Sequence, residues 1–285
     1  MNKVIITADS TCDLNNELKE IYEIKTIPLH VVLGDKVYED SVNIYPQDIF
    51  DNFYKTKQLP KTAAINSEEY IAFFKPFVES GYDIVHINIG SGISVCHQNC
   101  KLAAEELCAN IYPIDSGNLS TGTGHLVIEA AERAKQGLSA EKIAEEVNLL
   151  AKKLHSSFVI EHLDFLHAGG RCSALAMLGA NLLGLKPSIL VSNDERGKMG
   201  VGKKYRGKLE KVLLSYVEDV LANAENIKSD RVFITYSTID EALLKKIKSV
   251  IKKKNIFKDI HITTTSCTIS SHCGPNTLGV IYMEK

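Results

Sequence analysis

Apolar and polar positions along the chain switch between a period of two and a period near 3.6, and the switches outline its elements. Residues 3–8 (KVIITA) form an apolar run ending in the polar Asp9-Ser10-Thr11, and residues 14–22 follow at helical spacing, so the chain opens strand, loop, helix. Residues 25–33 and 36–44 read as extended segments around a turn at Gly34-Asp35. Pro28 confines the first of them to a sheet edge or a strand start, because proline has no N–H for a ladder. Pro46 at a first helical position opens a helix toward Lys55. Asn66 with Glu69 three residues on is a capping-box variant, which predicts a helix over 67–80 and places 62–65 at its N-terminus.

Residues 83–89 read as a buried strand, Gly90-Ser91-Gly92-Ile93-Ser94 as a loop, 95–108 as a helix and 109–114 as a strand. A Ser/Thr/Gly loop over 115–124 then leads into a helix ending at Lys135. Strands that end in such loops or feed helices are the pattern of a doubly wound parallel sheet. Ser139 caps an amphipathic helix to about 154, after which the pattern changes. A strand over 157–161, a segment over 163–168 ending at Gly169-Gly170-Arg171, and a Leu/Ala/Gly-rich helix to 185 precede a hairpin-like pair at 187–192 and 201–205. Helix 208–224, strand 231–237, helix 239–254 and strands 259–265 and 278–283 complete an α+β second half. The expectation is a two-domain α/β chain divided near 155, as 1–155 and 156–285.

Composition agrees with that size. The 285 residues are 45% hydrophobic and 24% charged, which excludes disorder, collagen and coiled coil. A chain of this length buries roughly 75% of its unfolded surface, near the point where single cores stop growing. Lys and Arg total 33 against 35 Asp and Glu, a net charge of -2, so no global field draws the chain to nucleic acid. The apolar run before Asp9 is too short for a secretory signal, and no stretch approaches the ~18 apolar residues of a membrane span, which points to a cytoplasmic protein. Seven cysteines without paired short spacings suggest reduced thiols. Cys96, His97 and Cys100 form the one cluster suggestive of a metal, but Cys96 and Cys100 also fall on an apolar helix face with Ala103 and Leu107, and no metal is expected.

The loops carry the candidate chemistry. Ser10, Thr11, Thr62, Ser91, Ser94, Ser116 and Ser120 should lie at the carboxyl end of the parallel sheet, where hydroxyls and helix N-termini suit an anion; each reads equally as a cap satisfying its own backbone. No Walker loop is present, since Gly90 to Ser94 and Gly117 to Gly124 lack the spacing and the lysine, and no G-x-S-x-G elbow marks a serine hydrolase. Arg171 follows two glycines and His272 precedes a Gly-Pro turn. Arg offers a fork of donors to a carboxylate or phosphate, and His holds or relays a proton. A surface arginine and a loop-bonding histidine are the plainer alternatives.

The ordered set Asp9-Ser10-Thr11-Cys12-Asp13-Leu14, Gly169-Gly170-Arg171 and His272-Cys273-Gly274-Pro275 resembles the DegV family, with Ser91-Gly92-Ile93-Ser94, Asp115-Ser116 and Lys186-Pro187 in support. The resemblance implies an N-terminal three-layer α/β/α domain with a parallel sheet and a C-terminal α+β domain with a mixed sheet. It also implies a long-chain fatty acid in a tunnel between them. Thr62 and Ser91 match the family's carboxylate-binding hydroxyls, and Arg171 and His272 its head-group Arg and His. No cofactor is implied beyond the acid itself. The implied role is a lipid-binding carrier, not an enzyme, that presents the acid to a separate fatty acid kinase and carries the acyl phosphate toward phospholipid metabolism.

Physics agrees with a carrier: burying a methylene is worth about 0.8 kcal/mol, so a long tail gains on the order of 10 kcal/mol before ordering costs, and the head group supplies orientation. Arg171 would then steady a phosphoryl group, and Leu175 to Leu185 would wall the tunnel. The chain departs from the family's T-S-x-P-S at Ala63, Ile65 and Asn66, from S-S-x-L-S-G-T at Gly90, Val95 and Cys96, and again at Asn276. Other readings on the same fold are a hydrolase or transferase using Ser91, Arg171 and His272 on an acyl or small phosphorylated substrate, and a regulatory lipid sensor. A basic run from Arg196 to Lys211 could dock an acidic kinase surface or touch anionic lipid transiently, or be plain solvated surface. The lysines from 245 to 254 read as the wet face of a helix.

Overall fold

The computed structural model of the protein describes residues 3–173 and 184–285. In chain order the first half reads β1 (Lys3–Asp9), α1 (Asn16–Ile21), β2 (Lys25–Ile27), β3 (His30–Leu33), β4 (Lys36–Glu39), α2 (Pro46–Thr56), β5 (Lys61–Ala63), α3 (Ser67–Glu79), β6 (Tyr82–Asn88), α4 (Cys96–Leu107), β7 (Ile111–Asp115), α5 (Thr121–Lys135) and α6 (Ala140–Ala151). Then come β8 (Leu154–Val159), α7 (Leu163–Gly169), β9 (Leu185–Ser192), β10 (Lys198–Arg206), α8 (Leu209–Val220), β11 (Ile227–Tyr236), α9 (Glu241–Lys253), β12 (Asp259–Thr264), α10 (Cys267–Cys273) and β13 (Leu278–Glu284). The Leu/Ala/Gly-rich stretch expected as a helix and tunnel wall over 175–185 lies, up to residue 183, outside the described residues.

Three sheets result. β2-β1-β6-β7 is parallel throughout, as expected for the first half, and β10-β9-β8-β13-β11-β12 is mixed, with only β11 and β12 parallel. A small antiparallel sheet, β4-β3-β5, is added to these. Parallel strands need both faces covered. Tyr70 and Phe74 of α3 with Cys96 and Cys100 of α4 pack on one face against Ile84, and Leu126 of α5 with Ile143 of α6 pack on the other against Val85 and Ile87. In the mixed sheet, alternation along β11 and β13 sends Phe233 and Ile281 toward α5 and α6, while Val232, Ile234, Val280 and Tyr282 face α8 and α9. The layer of α5 and α6 is thus shared by both sheets.

Residues 25–33, expected as one extended segment, split into β2 and β3 of different sheets, and three further elements differ from the sequence expectation. Residues 61–63 are not a lead-in to α3 but strand β5, whose Thr62 pairs with Val31 of β3; a three-residue strand has too little pattern to be seen without its partner. Thr121 to Gly124 are not loop but the first turn of α5, fully buried where β-branched and glycine residues give no helical signal. The third is α10, where no helix is expected because CTISSHC contains no strong helix former.

Tertiary contacts hold α10. Ser266 N–H donates to Asp13 Oδ1 at 2.8 Å and Cys267 N–H to Asp40 Oδ1 at 2.7 Å, so two buried carboxylates from the first half receive the leading amides of a helix in the second. Ser120 Oγ donates to the other oxygen of Asp13 and Ser10 Oγ to that of Asp40. Burial pushes the Asp13 carboxyl up to about 7; the Ser120 and Ser266 hydrogen bonds oppose the rise and Asp40 adds to it. The folded value therefore lies above the unfolded one, so this group's contribution to stability is whole below about pH 4 and is lost as pH rises through about 7. Asp13→Asn should gain on the wild type by on the order of 3 kcal/mol between pH 4.5 and pH 8 in urea unfolding. A difference independent of pH would contradict the assignment.

Candidate functional site

The loops that follow β6 and β7 meet β5, the start of β10, α10 and the segment after α7 around one cavity of about 580 Å³. Thr62, Ser91, Arg171 and His272 all line it, although they come from four separate segments. Leu29, Ile89, Ile93, Leu119, Met199 and Ile269 supply apolar wall. Such a volume with mostly apolar lining and a few convergent polar groups is the usual form of a small-molecule site.

Each polar group is held from below. Asp9, wholly buried at the end of β1, accepts from Tyr70 O–H at 2.6 Å and from Ile89 N–H at 2.9 Å, and His86 Nε2 lies 3.1 Å from the same carboxylate. That fixes where β6 releases the chain into Gly90-Ser91. Gly90 N–H then donates to Asn118 O at 2.7 Å and Gly92 N–H to Arg196 O at 2.8 Å, so the loop is clamped between a first-half loop and the β9–β10 turn. Ser91 itself donates from Oγ to Asp115 Oδ2 at 2.5 Å and from its N–H to Asp115 Oδ1 at 3.0 Å. With its proton engaged there, Ser91 presents lone pairs to the cavity.

Thr62 and His272 form a pair, with Oγ1 and Nε2 2.8 Å apart. Nδ1 of His272 is buried without a partner against Gly169. A buried orphan N–H is rarer and costlier than an unused lone pair, so the proton is assigned to Nε2, which donates to Thr62. The Thr62 hydroxyl hydrogen is thereby left for a ligand. Burial, and then the nearby Arg171 charge, push the His272 ring down to about 4, so it is neutral at neutral pH. The Gly169-Gly170-Arg171 pattern has its reason here. A Cβ at Gly169 would overlap His272 Nδ1, and Gly170, at φ +66°, turns the chain out of α7 to bring exposed Arg171 to the mouth. Arg171 Nη1 donates to Gly169 O at 2.6 Å.

The other candidate hydroxyls divide. Ser94 lines the cavity and accepts from Cys96 N–H, but Ser10, Thr11, Ser116 and Ser120 do not line it. Ser10 and Ser120 bond Asp40 and Asp13, and Ser116 bonds Thr123 and Asn118. Asp115 and Lys198 were missed as site residues. Asp115 had a signal, a carboxylate at the carboxyl end of a parallel strand beside the one carrying Ser91; Lys198 had only its place in the basic run from Arg196 to Lys211. Cys96 and Cys100 face the core, where burial pushes the Cys96 thiol up to about 12, while His97 Nδ1 turns to Asn88 Oδ1 at 3.2 Å. Among the described residues no group of three or more His, Cys, Asp or Glu is placed to hold a metal, and no helix is long and apolar enough to cross a membrane.

The fold is shared by known proteins. A family model described as "Uncharacterised protein, DegV family" matches residues 3–285. The chain belongs to the DegV family. It is similar to a DegV domain-containing protein of Clostridium perfringens, 30% identical over 100% of both chains. Among solved structures it is similar to a fatty-acid-binding DegV family protein of Thermus thermophilus, with TM-score 0.90 and 25% identity over 100% of both chains. A stearic-acid-binding protein of Eubacterium ventriosum aligns with TM-score 0.84 and 26% identity, covering 100% of this chain and 99% of that one.

Departures from the DegV pattern have local explanations. Ile65 is wholly buried under α3, and Asn66 makes the capping box with Glu69 that starts it. Asn276 adopts φ +59°, a left-handed conformation that Asn tolerates, and donates to Glu161 at 2.8 Å. In the wild type the His272 ring should stay neutral down to about pH 5, and Gly169→Ala, by displacing it from Thr62, should move its titration up toward the ordinary range near 6.5. Imidazole NMR signals followed against pH check this; an unchanged midpoint in the variant would refute the packing argument.

Proposed function

We propose that this DegV chain binds a long-chain fatty acid, with its carboxyl group among Thr62, Ser91, Arg171 and His272. The tail would run between the unit of residues 1–155 and that of 156–285, along Leu29, Ile93, Leu119 and Ile269. The observation that carries the reading is the convergence of those four polar side chains on one apolar-walled cavity of about 580 Å³. The fatty-acid-binding titles of the Thermus thermophilus and Eubacterium ventriosum structures support it. In the same reading the protein is a carrier: it presents the carboxyl to a separate kinase, with Arg171 at the mouth to steady the incoming phosphoryl group, and carries the acyl phosphate away.

A hydrolase or transferase using Ser91 as nucleophile with His272 as its base would need those two side chains paired. Ser91 bonds Asp115, while His272 is engaged with Thr62, so no Ser–His pair forms. That favours the carrier. The basic run from Arg196 to Lys211 supports docking to an acidic kinase surface: Lys198, Lys203, Lys204, Arg206, Lys208 and Lys211 are exposed, with Lys203 paired to Asp219. The lysines of α9 and its C-cap are less available, since Lys245, Lys246 and Lys254 pair with Glu241, Glu210 and Glu218.

Mass spectrometry of the denatured, purified protein should find a stoichiometric fatty acid, and its absence after incubation with a range of free acids would defeat the reading. With the tail supplying affinity, shortening the acid by four methylenes should weaken binding roughly 100-fold, at about 0.8 kcal/mol each. Ser91→Ala should lower acyl phosphate formation with an added fatty acid kinase more than it lowers lipid retention; equal losses would contradict the division between tail and head group.

A further inference from the structure

Among the described residues Ser91 alone lines both the 580 Å³ cavity and a second chamber of about 390 Å³, which is bounded by His97, Gln98, Lys101, Asp115 and Arg196. One side of this serine faces the apolar site and the other reaches, through Asp115, a polar opening. Asp115 is held in place independently of its bond to the Ser91 hydroxyl, because Oδ1 accepts from the N–H groups of Ser91 and Gly117 at 3.0 and 2.9 Å. Its Oδ2 accepts the hydrogen bond from the Ser91 O–H.

A hydroxyl has one hydrogen to give. While Ser91 donates to Asp115, it can only accept from whatever sits in the cavity, and the form of a fatty acid that donates is the protonated one. For Ser91 itself to bond an ionised head group, its hydrogen would have to turn inward, leaving two carboxylates about one hydroxyl apart. Two like charges that close do not both ionise at ordinary pH, and one proton stays between them.

We infer that the bound acid and Asp115 share a single proton through the Ser91 hydroxyl, which makes Asp115 the proton acceptor for the head group. This rests on the fatty-acid reading above. When the acid ionises, its O–H bond breaks as a new one forms to Ser91 Oγ, and the original Ser91 O–H bond breaks as its hydrogen passes to Asp115 Oδ2. Negative charge moves from Asp115 to the acid, with no other reactant needed. The acid is then carried uncharged within its apolar walls and becomes a carboxylate nucleophile when the proton shifts outward. The charged or titratable groups around the relay are His97, Lys101 and Arg196 on the outer side and Arg171, Lys198 and His272 on the inner. His97 is depressed by burial, and Lys101 and Arg196 have no ion-pair partner among the described residues.

The test is the carboxyl ¹³C signal of carboxyl-labelled palmitate bound to delipidated protein, followed from pH 5 to 9. The wild-type midpoint should lie about one pH unit or more above that of Asp115→Asn, a tenfold difference in proton affinity. Ser91→Ala, which removes the bridge and leaves Asp115, should lower the midpoint too, and it carries the comparison alone if Asp115→Asn does not fold. A serine merely positioned by Asp115 would leave the midpoint unmoved, and a bound signal with equal midpoints in wild type and variants overturns the shared proton while leaving fatty acid binding intact. Absence of any bound carboxyl signal in the wild type overturns both.

Discussion

The site depends on two carboxylates taken out of water. Asp13 and Asp40 come from the first half of the chain, yet their hydrogen bonds go to the leading amides of α10 in the second half, more than two hundred residues away. A seven-residue segment of Cys, Thr, Ile, Ser and His has no intrinsic reason to be helical, so these two bonds and the apolar contacts beneath it decide its structure. His272 sits in the last turn of that segment and Thr62 in a strand of the small sheet that Asp40 follows. The pairing of Thr62 with His272 is therefore a consequence of the Asp40–Cys267 tie.

The same economy appears on the other side of the cavity. Asp9 does not face the site, but by gathering Tyr70, His86, Asn88 and the Ile89 amide it determines where Ser91 begins. A buried charge with this many donors is satisfied, and its loss would leave those donors unpaired. The cavity-facing groups are by contrast under-committed: the Thr62 hydroxyl hydrogen, the lone pairs of Ser91 and most of the Arg171 fork. Rigid, satisfied polar groups behind and unsatisfied ones in front are what a preorganised site requires.

The family motifs take on distinct physical meanings in this light. Asp9 to Asp13 is scaffold, with one carboxylate for the end of the sheet and another for the α10 cap. Gly169 is space for an imidazole, and Gly170 is a turn. Among these residues Gly170, Arg171 and His272 reach the cavity, the last two with polar side chains. A reading of motifs as ligand contacts assigns too many of them to the ligand, as it does for Ser10, Thr11, Ser116 and Ser120, whose partners are internal or, for Thr11, missing.

Local pattern was sufficient for the long elements. The apolar runs of β6, β11 and β13, the Asn66–Glu69 box before α3 and the Ser139 cap before α6 are each contained in a few neighbouring residues, so the parallel sheet and the change of pattern after α6 could be read directly. The nature of the candidate chemistry, hydroxyls with one Arg and one His, was legible for the same reason. What no window of sequence contains is the pairing of β5 with β3, the existence of α10, or which of seven hydroxyls turn inward. Those were decided by hydrogen bonds between residues 24 to 253 positions apart, such as Ser91–Asp115, Thr62–His272 and Asp13–Ser266, because a buried polar group takes its partner from whatever the fold brings within 3 Å and not from its neighbours in the chain.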